Sequence, residues 1–310
     1  MAAIAADGAA EVAVLSDPSG DMLAEARKAA PRAEIAASFD ELLDRPLDGL
    51  VIATPSALHA EQAEAALRRG MAVFCQKPLA RTAAECIRVV AAARLADRLL
   101  GVDLSYRETA AMRAIRGLIA EGGIGEVYAV DLVFHNAYGP DKAWFRDLAS
   151  SGGGCVMDLG IHLVDLALWT LGFPAVGGVT SRLYAQGRPL GARPEVVEDF
   201  ATAQIELAGG AVMRLACSWN LSAGRDAVIE ATFHGTRGGA SMRNVGGSFY
   251  DFVAERYEGT RSHPLAAPPD DWGGRAAVLW ARELAAGRGY DPAIERAIEV
   301  SGVLDAIYGR

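Results

Sequence analysis

The sequence predicts an α/β protein that joins a doubly wound parallel sheet to a large, open and mostly antiparallel sheet. Up to about residue 105, short apolar runs alternate with helical segments, a spacing typical of parallel βαβ units. Beyond residue 125, apolar and polar residues alternate along longer runs, which favours an antiparallel sheet with one covered face. We therefore predict two domains, 1–105 and 106–310, with the last helices placed to pack back on the first.

Length, charge and cysteine content narrow the class of protein. The chain has 310 residues and a net charge of −9, and it shows no cluster of Lys and Arg, so nucleic acid and anionic membranes are not expected partners. Its four cysteines are scattered without a Cys-x-x-Cys pair, which favours reduced thiols over disulfides or a zinc site. With neither a signal peptide nor a bilayer-spanning apolar run recognised, we expect a soluble cytoplasmic protein.

Polar residues follow the predicted buried strands of the first domain. Ligands of doubly wound sheets bind beyond the carboxyl ends of the strands, so this edge is the expected dinucleotide site. Asp17 is placed to accept hydrogen bonds from ribose hydroxyls and would repel a 2′-phosphate, which favours NAD over NADP. The alternative is that Asp17 is only a turn residue before Pro18. The residues at these strand ends are Asp17, Thr54, Gln76, Lys77 and Arg107.

The first domain departs from the usual dinucleotide-binding pattern at its start. A Rossmann unit begins with a strand and a Gly-x-Gly-x-x-Gly turn that feeds a helix, and neither precedes Asp17. That strand would be central, between the strands ending at Asp17 and Thr54, so its loss would leave buried backbone groups unpaired. Either the chain extends upstream of Met1, or the domain is rebuilt and does not hold the pyrophosphate in the usual way. The intact strand pattern elsewhere favours the first alternative.

The segment 151–170 carries the most suggestive polar pair of the second domain. Three glycines, 152–154, permit close backbone approach, and an amphipathic helical pattern follows. Asp158 and His162 are four residues apart, so both project from one helix face, where a carboxylate can orient an imidazole for proton transfer. Alternatively, Asp158 is a first-turn anion and His162 a core residue. A metal site that includes Asp165 is disfavoured because no other His or Cys clusters with them.

The rest of the second domain is predicted to alternate between helix and sheet. A helix is expected over 108–121, a long strand over 125–138 and further strands over 178–183, 199–207, 211–219, 227–233 and 248–256. A Pro-rich connector, 264–269, then leads to a helix over 272–286 and a last helix that begins at Asp291-Pro292.

Three motifs follow one another along the chain. They are Thr54-Pro55 with His59, then Gln76-Lys77-Pro78, then the triple glycine with Asp158 and His162. In this order they resemble the Gfo/Idh/MocA oxidoreductases over nearly the whole chain. The resemblance implies a Rossmann domain and a C-terminal α/β domain whose open sheet faces the nicotinamide and often forms dimers or tetramers. It also implies NAD(P)-dependent hydride transfer at a hydroxyl or carbonyl carbon of a sugar, cyclitol or related polyol.

The resemblance also implies roles for individual residues. Lys77 would hydrogen-bond the reacting oxygen, Asp158 would bind and polarise the substrate hydroxyl, and His162 would be the general base or acid. The implied cofactor-lining residues are Thr54, Pro55, His59, Gln76, Lys77 and, near the nicotinamide ribose, Arg107. Three residues at the end of the long strand would contact a polyol or would simply be polar residues of the sheet face: His135, Asn136 and Tyr138.

Gln76 is a departure from the family pattern, in which a glutamate precedes the lysine. A neutral amide replaces a fixed negative charge, so Lys77 should hold its proton less tightly, although activity should survive. The missing glycine turn supports a rival interpretation, a non-catalytic binding protein that retains the oxidoreductase fold without its cofactor. A glycosidase that uses transient oxidation by a bound cofactor is a third possibility.

Overall fold

The computed structural model describes residues 1–191 and 194–310. In the first domain, three short strands form a parallel sheet in the order β3 (Gly49–Ile52), β4 (Ala72–Cys75) and β5 (Leu100–Val102). Helices α4 (Ser56–Arg68) and α5 (Ala83–Ala96) connect these strands, as predicted from their spacing. Both helices pack through small side chains such as Ala63 and Ala93, which are fully buried.

A second parallel pair completes the sheet elements of the first domain. Strand β1 (Val14–Leu15) pairs with β2 (Glu34–Ile35). Helix α2 (Gly20–Ala29) connects these two strands, α3 (Phe39–Leu43) follows β2, and the short helix α1 (Ala2–Asp7) precedes β1 in the sequence. Within residues 1–191 and 194–310, β1 has no pairing with β3, so the sheet is in two pieces where a central strand was expected.

The second domain is built on one nine-stranded sheet within the described residues. Its order is β14, β13, β12, β11, β6, β10, β9, β7, β8, and only β6 and β10 run parallel, which confirms the mostly antiparallel prediction. The strands are β6 (Val127–Asn136), β7 (Val176–Ala185), β8 (Arg188–Pro189), β9 (Phe200–Leu207), β10 (Val212–Ser218), β11 (Ala227–Gly235), β12 (Gly238–Asn244), β13 (Phe252–Glu258) and β14 (Arg261–Ala266).

Three of these strands, β8, β12 and β14, were not predicted from the sequence. Strand β8 is only two residues long and pairs with β7. Strand β12 begins with two glycines, and its strand pairing with β11 and β13 outweighs their poor strand propensity. Strand β14 overlaps the expected Pro-rich connector because it lies at the sheet edge, where Pro264 needs no hydrogen-bond donor on its outer side.

One face of the large sheet is covered by helices and the other is open. Along β9, Ala201, Ala203 and Ile205 point into the core, whereas Thr202 and Gln204 are exposed. The covering elements are α6 (Ala110–Ala120), a π-helical turn (Val156–Gly160) and α8 (Ile161–Thr170). The short helix α7 (Leu148–Ser151) precedes the π-helical turn and contacts α4. By length and composition the stretch Leu148–Thr170 could cross a membrane, but 94% of its most apolar 18-residue window is buried inside the protein, as in a core helix.

The last two helices contact the first domain. Helix α9 (Arg275–Ala285) places Trp280 on Phe74 of β4, with ring centroids 5.7 Å apart. Helix α10 (Arg296–Tyr308) packs on α5, where Ser301 Oγ lies 3.0 Å from Cys86 Sγ. These contacts tie the sheet of the first domain to the second.

Candidate active site

Lys77 and Asp158 meet between the two domains although 81 positions separate them in sequence. Lys77 follows β4, and its Nζ donates to Asp158 Oδ1 at 2.7 Å and to the Asp158 backbone oxygen at 2.6 Å. Both side chains are only 16% exposed, so this is a largely desolvated ion pair rather than a surface contact. The strand end and the helical segment that the sequence singled out therefore form one site.

The second carboxylate oxygen of Asp158 is also bound. Trp219 Nε1, just beyond β10, donates to Asp158 Oδ2 at 3.0 Å. Among the described residues, Asp158 makes no hydrogen bond to His162, so the carboxylate does not orient the imidazole as expected. The expected helix is instead π-helical at Val156–Gly160, and the carboxylate pairs with the lysine across the domain boundary.

His162 is a buried and neutral imidazole next to this ion pair. Its side chain packs on Tyr106, with ring centroids 4.8 Å apart, and its Nδ1 is buried with no hydrogen-bond partner in the described part of the chain. Burial, and then the positive charge of Lys77, holds the pKa of His162 well below its usual value of 6.5. A neutral ring can accept a proton, which is what a general base requires.

Glu198, which the sequence analysis did not identify, holds the start of the segment that carries Asp158 and His162. Its carboxylate accepts from Gly154 N and Val156 N, each at 2.9 Å, and from Tyr308 Oη at 2.8 Å. Glu198 is buried, and burial raises its pKa while these hydrogen bonds oppose the rise. The triple glycine was the available clue, since it indicates that some group approaches this backbone closely.

Gly154 shows why that backbone carries no side chain. A Cβ at this position would lie 2.8 Å from the carbonyl carbon of Glu198 and closer still to its oxygen. The close approach that the glycines permit is thus to a protein group, the Glu198 backbone and carboxylate. It fixes the direction in which the helical segment enters the site.

Gln76 is bound to a carboxylate of the neighbouring strand. Its Nε2 donates to Asp103 Oδ2 at 2.6 Å, and Asp103 Oδ1 is buried without a partner among the described residues. Burial raises the pKa of Asp103, and the Gln76 hydrogen bond and the Lys77 charge oppose that rise. Sequence analysis placed a neutral amide here and missed the carboxylate beside it, since Asp103 carried no motif.

The Thr54-Pro55 segment and the Lys77-Pro78 turn are joined by His59. Its Nδ1 lies 2.6 Å from Pro78 O and its Nε2 lies 2.7 Å from Thr54 O, and the ring is buried. Burial lowers its pKa although both contacts favour the charged ring, and a neutral ring can donate to only one of these two carbonyls. His59 therefore ties together the two segments predicted to line the cofactor.

Asp17 and Arg107 make contacts within the protein. Asp17 Oδ1 accepts from Ser19 N at 2.8 Å, the contact expected of a turn residue, and its side chain stays exposed. Arg107 forms a two-bond ion pair with the buried Asp165, including Nε to Oδ2 at 2.7 Å. Burial raises the pKa of Asp165 despite the guanidinium. The cofactor-binding roles of Asp17 and Arg107 stay predictions.

The three residues at the end of β6 also have partners in the protein. His135 Nδ1 lies 2.8 Å from Ser218 Oγ, Asn136 Oδ1 accepts from Tyr138 N at 2.8 Å, and Tyr138 Oη donates to Asp226 at 2.5 Å. Tyr138 is more than half exposed. A role for these residues in substrate binding stays a prediction.

The candidate metal ligands are engaged with cations of the protein. Asp158 binds Lys77 and Asp165 binds Arg107, and in residues 1–191 and 194–310 no group of three or more His, Cys, Asp or Glu side chains is arranged to hold a metal ion. Two polar atoms of the described residues are buried without a hydrogen-bond partner: Asp103 Oδ1, just beyond β5, and His162 Nδ1, on α8.

Comparisons with known proteins assign this chain to a family. A family model described as "Oxidoreductase family, NAD-binding Rossmann fold" matches residues 1–104, and the "GFO/IDH/MocA C-terminal domain" matches residues 112–241. The chain belongs to the Gfo/Idh/MocA family. This confirms the resemblance stated above and the predicted fold class, including the Rossmann-like first domain.

Among curated members of the Gfo/Idh/MocA family, the 1,5-anhydro-D-fructose reductase of Ensifer adhaerens is 34% identical over 212 residues, 67% of this chain and 61% of the reductase. The chain spans about three fifths of the length of the first curated relatives that it matches. These relatives include reductases and dehydrogenases of sugars and inositols.

Two solved structures share the fold. KijD10, a 3-ketoreductase from Actinomadura kijaniata in complex with NADP and TDP-benzene, superposes with a TM-score of 0.83 at 20% identity, covering 99% of this chain and 91% of that one. Levoglucosan dehydrogenase in complex with NADH gives 0.81 at 24% identity, covering 96% and 87%. The first of these structures is a complex with NADP and the second a complex with NADH.

Proposed function

We propose that this chain is an NAD-dependent oxidoreductase that transfers hydride between the nicotinamide and a hydroxyl or carbonyl carbon of a sugar, cyclitol or related polyol. The observation that carries the proposal is the ion pair of Lys77, which follows β4, with Asp158, four residues before the buried His162. Relatives named as sugar and inositol dehydrogenases support the substrate class.

Lys77 would polarise the oxygen of the reacting carbon. An ammonium group has three N–H donors, and Asp158 accepts from two directions, at its backbone oxygen and at Oδ1. The third donor would bind the substrate oxygen and stabilise the negative charge that develops there. Asp158 would hold the ammonium in place, with Trp219 fixing the carboxylate from its other side.

His162 would move the proton. During oxidation the hydroxyl proton passes to the neutral imidazole as the hydride leaves the carbon, and during reduction the imidazolium returns it. The nicotinamide, when bound, accepts or supplies the hydride. Burial of His162 keeps the ring in the form that accepts a proton.

The remaining residues would position the cofactor. Thr54, Pro55, His59 and Gln76 surround the ends of β3 and β4, and Arg107 follows β5. The exposed carboxylate of Asp17 supports NAD over NADP because it would repel a 2′-phosphate. These residues would contact the nicotinamide and ribose side of the cofactor.

We further propose a cytoplasmic homo-oligomer whose partner is a second copy of this chain, bound through the open face of the large sheet. Polar and charged side chains on that face, including Thr202, Gln204 and Arg214, border a shallow cavity rather than a covered core. A small-molecule substrate, with neither nucleic acid nor membrane as a partner, agrees with the negative net charge.

The test is a panel of sugars, cyclitols and their keto forms with NAD, NADP and the reduced cofactors, followed by nicotinamide absorbance. We expect turnover with NAD, lowered by about 10²-fold or more in Lys77→Ala and in His162→Ala. Lys28→Ala, which removes a side chain 73% exposed, is the matched control and should not change the rate. NAD binding by fluorescence without turnover of any compound would favour the non-catalytic alternative instead.

A further inference from the structure

The segment that carries Asp158 begins with backbone N–H groups that have no acceptor inside the segment, as at the start of any helix. Glu198 accepts from three of them: two bind its carboxylate, as described above, and Cys155 N donates to its backbone oxygen at 3.0 Å. The fourth, Met157 N, donates to Tyr308 Oη at 3.2 Å. Tyr308 therefore holds the residue immediately before Asp158.

The triple glycine, 152–154, makes room for these contacts. A Cβ at the second glycine would overlap the Tyr308 hydroxyl, just as one at the third would meet the Glu198 backbone. A Cβ at the first glycine would lie 2.7 Å from the Cβ of Arg81, which belongs to the first domain. The three glycines thus face three different groups of the protein. They mark a junction of α10, the first domain and the segment that carries Asp158.

Arg310 packs on Tyr308 and joins the two domains. Its Cζ lies 4.7 Å from the centroid of the Tyr308 ring, and its Nε donates to Asp305 Oδ1 at 3.0 Å. Its Nη1 donates to Gly152 O at 3.0 Å, and its Nη2 donates to Arg81 O at 2.8 Å. A guanidinium holds its N–H donors in one plane, so a single arginine can bind both carbonyls at a fixed separation.

Both members of the ion pair lie close along the chain to these contacts. Lys77 is four residues before Arg81, and Asp158 directly follows Met157. The ion pair joins the two domains through a bond of 2.7 Å from Lys77 Nζ to Asp158 Oδ1. A displacement of either segment would therefore change the geometry of the pair, because a hydrogen bond weakens quickly as its distance and angle change.

We propose that Tyr308 and Arg310 are positioning residues for the ion pair between the two domains. Tyr308 sets the direction in which the segment that carries Asp158 enters the site. Arg310 fixes the separation between that segment and the turn that carries Lys77. The proposal rests on the proposed function only for what the ion pair does to a substrate.

Trp219 reports directly on the position of Asp158, because its Nε1 donates to Asp158 Oδ2 at 3.0 Å. The chain has five tryptophans, so labelling with ¹⁵N-tryptophan gives one indole signal for each of them in a ¹H–¹⁵N spectrum. The signal that is lost in Trp219→Phe belongs to Trp219. Neither cofactor nor substrate is needed for this measurement. A residue that only stabilises the fold would leave the Trp219 signal in place.

We expect Tyr308→Phe, which keeps the ring and removes the hydroxyl, to shift the Trp219 signal by more than its line width. Met157 N loses its acceptor and Glu198 loses a donor, so the carboxylate of Asp158 moves relative to the indole. Circular dichroism shows whether the variant is folded. An unshifted signal in a folded Tyr308→Phe protein overturns the proposal.

Tyr290→Phe is the matched control for the tyrosine. Tyr290 Oη also donates to a glutamate oxygen, Glu295 Oε1, at 2.7 Å. Tyr290 N donates to Asp97 Oδ1, which precedes β5, so this pair lies at the opposite edge of the first sheet from the site. The Trp219 signal should keep its original position in this control. A shift as large as that of Tyr308→Phe would overturn the proposal.

Arg310→Met is the second variant, and it decides the proposal even where the tyrosine variant does not fold. It frees the two carbonyls that the guanidinium binds, so the same indole signal should shift by more than its line width. Arg296→Met is its control, because Arg296 begins α10 and also packs on an aromatic ring, with its Cζ 5.1 Å from the centroid of Phe173. An unshifted signal in a folded Arg310→Met protein, or equal shifts in both arginine variants, overturns the proposal.

Kinetics supply a further measurement in an enzyme that turns over. We expect kcat of Tyr308→Phe to fall by about 10-fold, because a misplaced ion pair binds the reacting oxygen less well. KM for NAD should stay within about twofold, because the residues predicted to line the cofactor are unchanged. An unchanged kcat overturns the proposal. A shifted Trp219 signal in a protein that oxidises nothing contradicts only the proposed function, whereas an unshifted signal in an active enzyme contradicts only this inference.

Discussion

The two sheets of this protein differ in completeness, yet each supplies part of one site. In the first domain the described strands form a pair, β1–β2, and a separate triplet, β3–β4–β5, whereas the second domain carries one nine-stranded sheet over a single large core. Lys77 comes from the divided sheet, and Asp158 and His162 come from a segment packed on the complete one. The positions of Lys77, Asp158 and His162 therefore depend on hydrogen bonds close to each residue rather than on the number of strands in each sheet. We call the residues that make these hydrogen bonds local anchors.

The local anchors differ in kind between the two domains. In the first domain a buried imidazole, His59, contacts two backbone carbonyls and so fixes the strand-end segments. In the second, the carboxylate of Glu198 accepts from backbone N–H groups at the start of the helical segment. The imidazole of His59 can gain a positive charge below neutral pH, because burial lowers its pKa. Glu198 is a buried acid that accepts three hydrogen bonds, one of them from Tyr308.

The largest expected effect comes from breaking the anchor of the second domain with Gly154→Ala. The new Cβ would meet the Glu198 backbone, which cannot move away as a flexible side chain can. We expect the free energy of unfolding to fall by about 4 kcal/mol or more, at the upper end of overpacking effects. Chemical denaturation monitored by circular dichroism measures this.

Gly160→Ala is the matched control within the same segment. Its Cβ would lie 3.4 Å from Cys217 Sγ and from a Val156 methyl group, which are ordinary contacts. We expect the free energy of unfolding to change by less than about 1 kcal/mol in this variant. Equal losses in Gly154→Ala and Gly160→Ala would refute the role of Glu198 as an anchor.

Arg107→Met, at the junction between the domains, should lower the free energy of unfolding by less than Gly154→Ala does. This change leaves Asp165, which is 1% exposed, without its ion pair, so the free energy of unfolding should fall by about 3 kcal/mol. Arg113→Met removes a half-exposed arginine that pairs with Glu108, and it should lower the free energy of unfolding by less than about 1 kcal/mol. If Arg107 instead serves mainly the cofactor, NAD affinity would fall while the stability of the variant stayed unchanged.

The smallest expected effect is the dependence of the free energy of unfolding on pH that comes from His162, in the second domain. The folded-state pKa of His162 lies below 6.5, so the unfolded chain binds more protons in acid and His162 lowers stability as the pH falls through 6.5. Between pH 7.5 and 5.5 the original protein should lose about 1 kcal/mol relative to His162→Gln. Urea unfolding of both proteins at both pH values measures their free energies of unfolding. If the difference between the two proteins were the same at pH 7.5 and pH 5.5, the buried neutral ring would be contradicted.

Much of the fold followed from local pattern. The βαβ spacing predicted the strands that end before Thr54 and Gln76, because parallel strands buried on both faces are continuously apolar. Period-two alternation predicted most of the large sheet. The two-residue β8, the glycine-bearing β12 and the Pro-bearing β14 were missed, since their strand state comes from pairing with neighbours rather than from their own residues.

The motifs of the sequence by themselves brought Lys77, Asp158 and His162 into one hypothesis, because residue type and family order carry that information. Only the tertiary structure decided the partners: Asp158 binds Lys77 and Trp219 rather than His162, and Gln76 binds Asp103. Those pairings join side chains from different strands and from both domains. The distances between these side chains depend on how the two domains pack together. The order of residues along the sequence does not specify those distances.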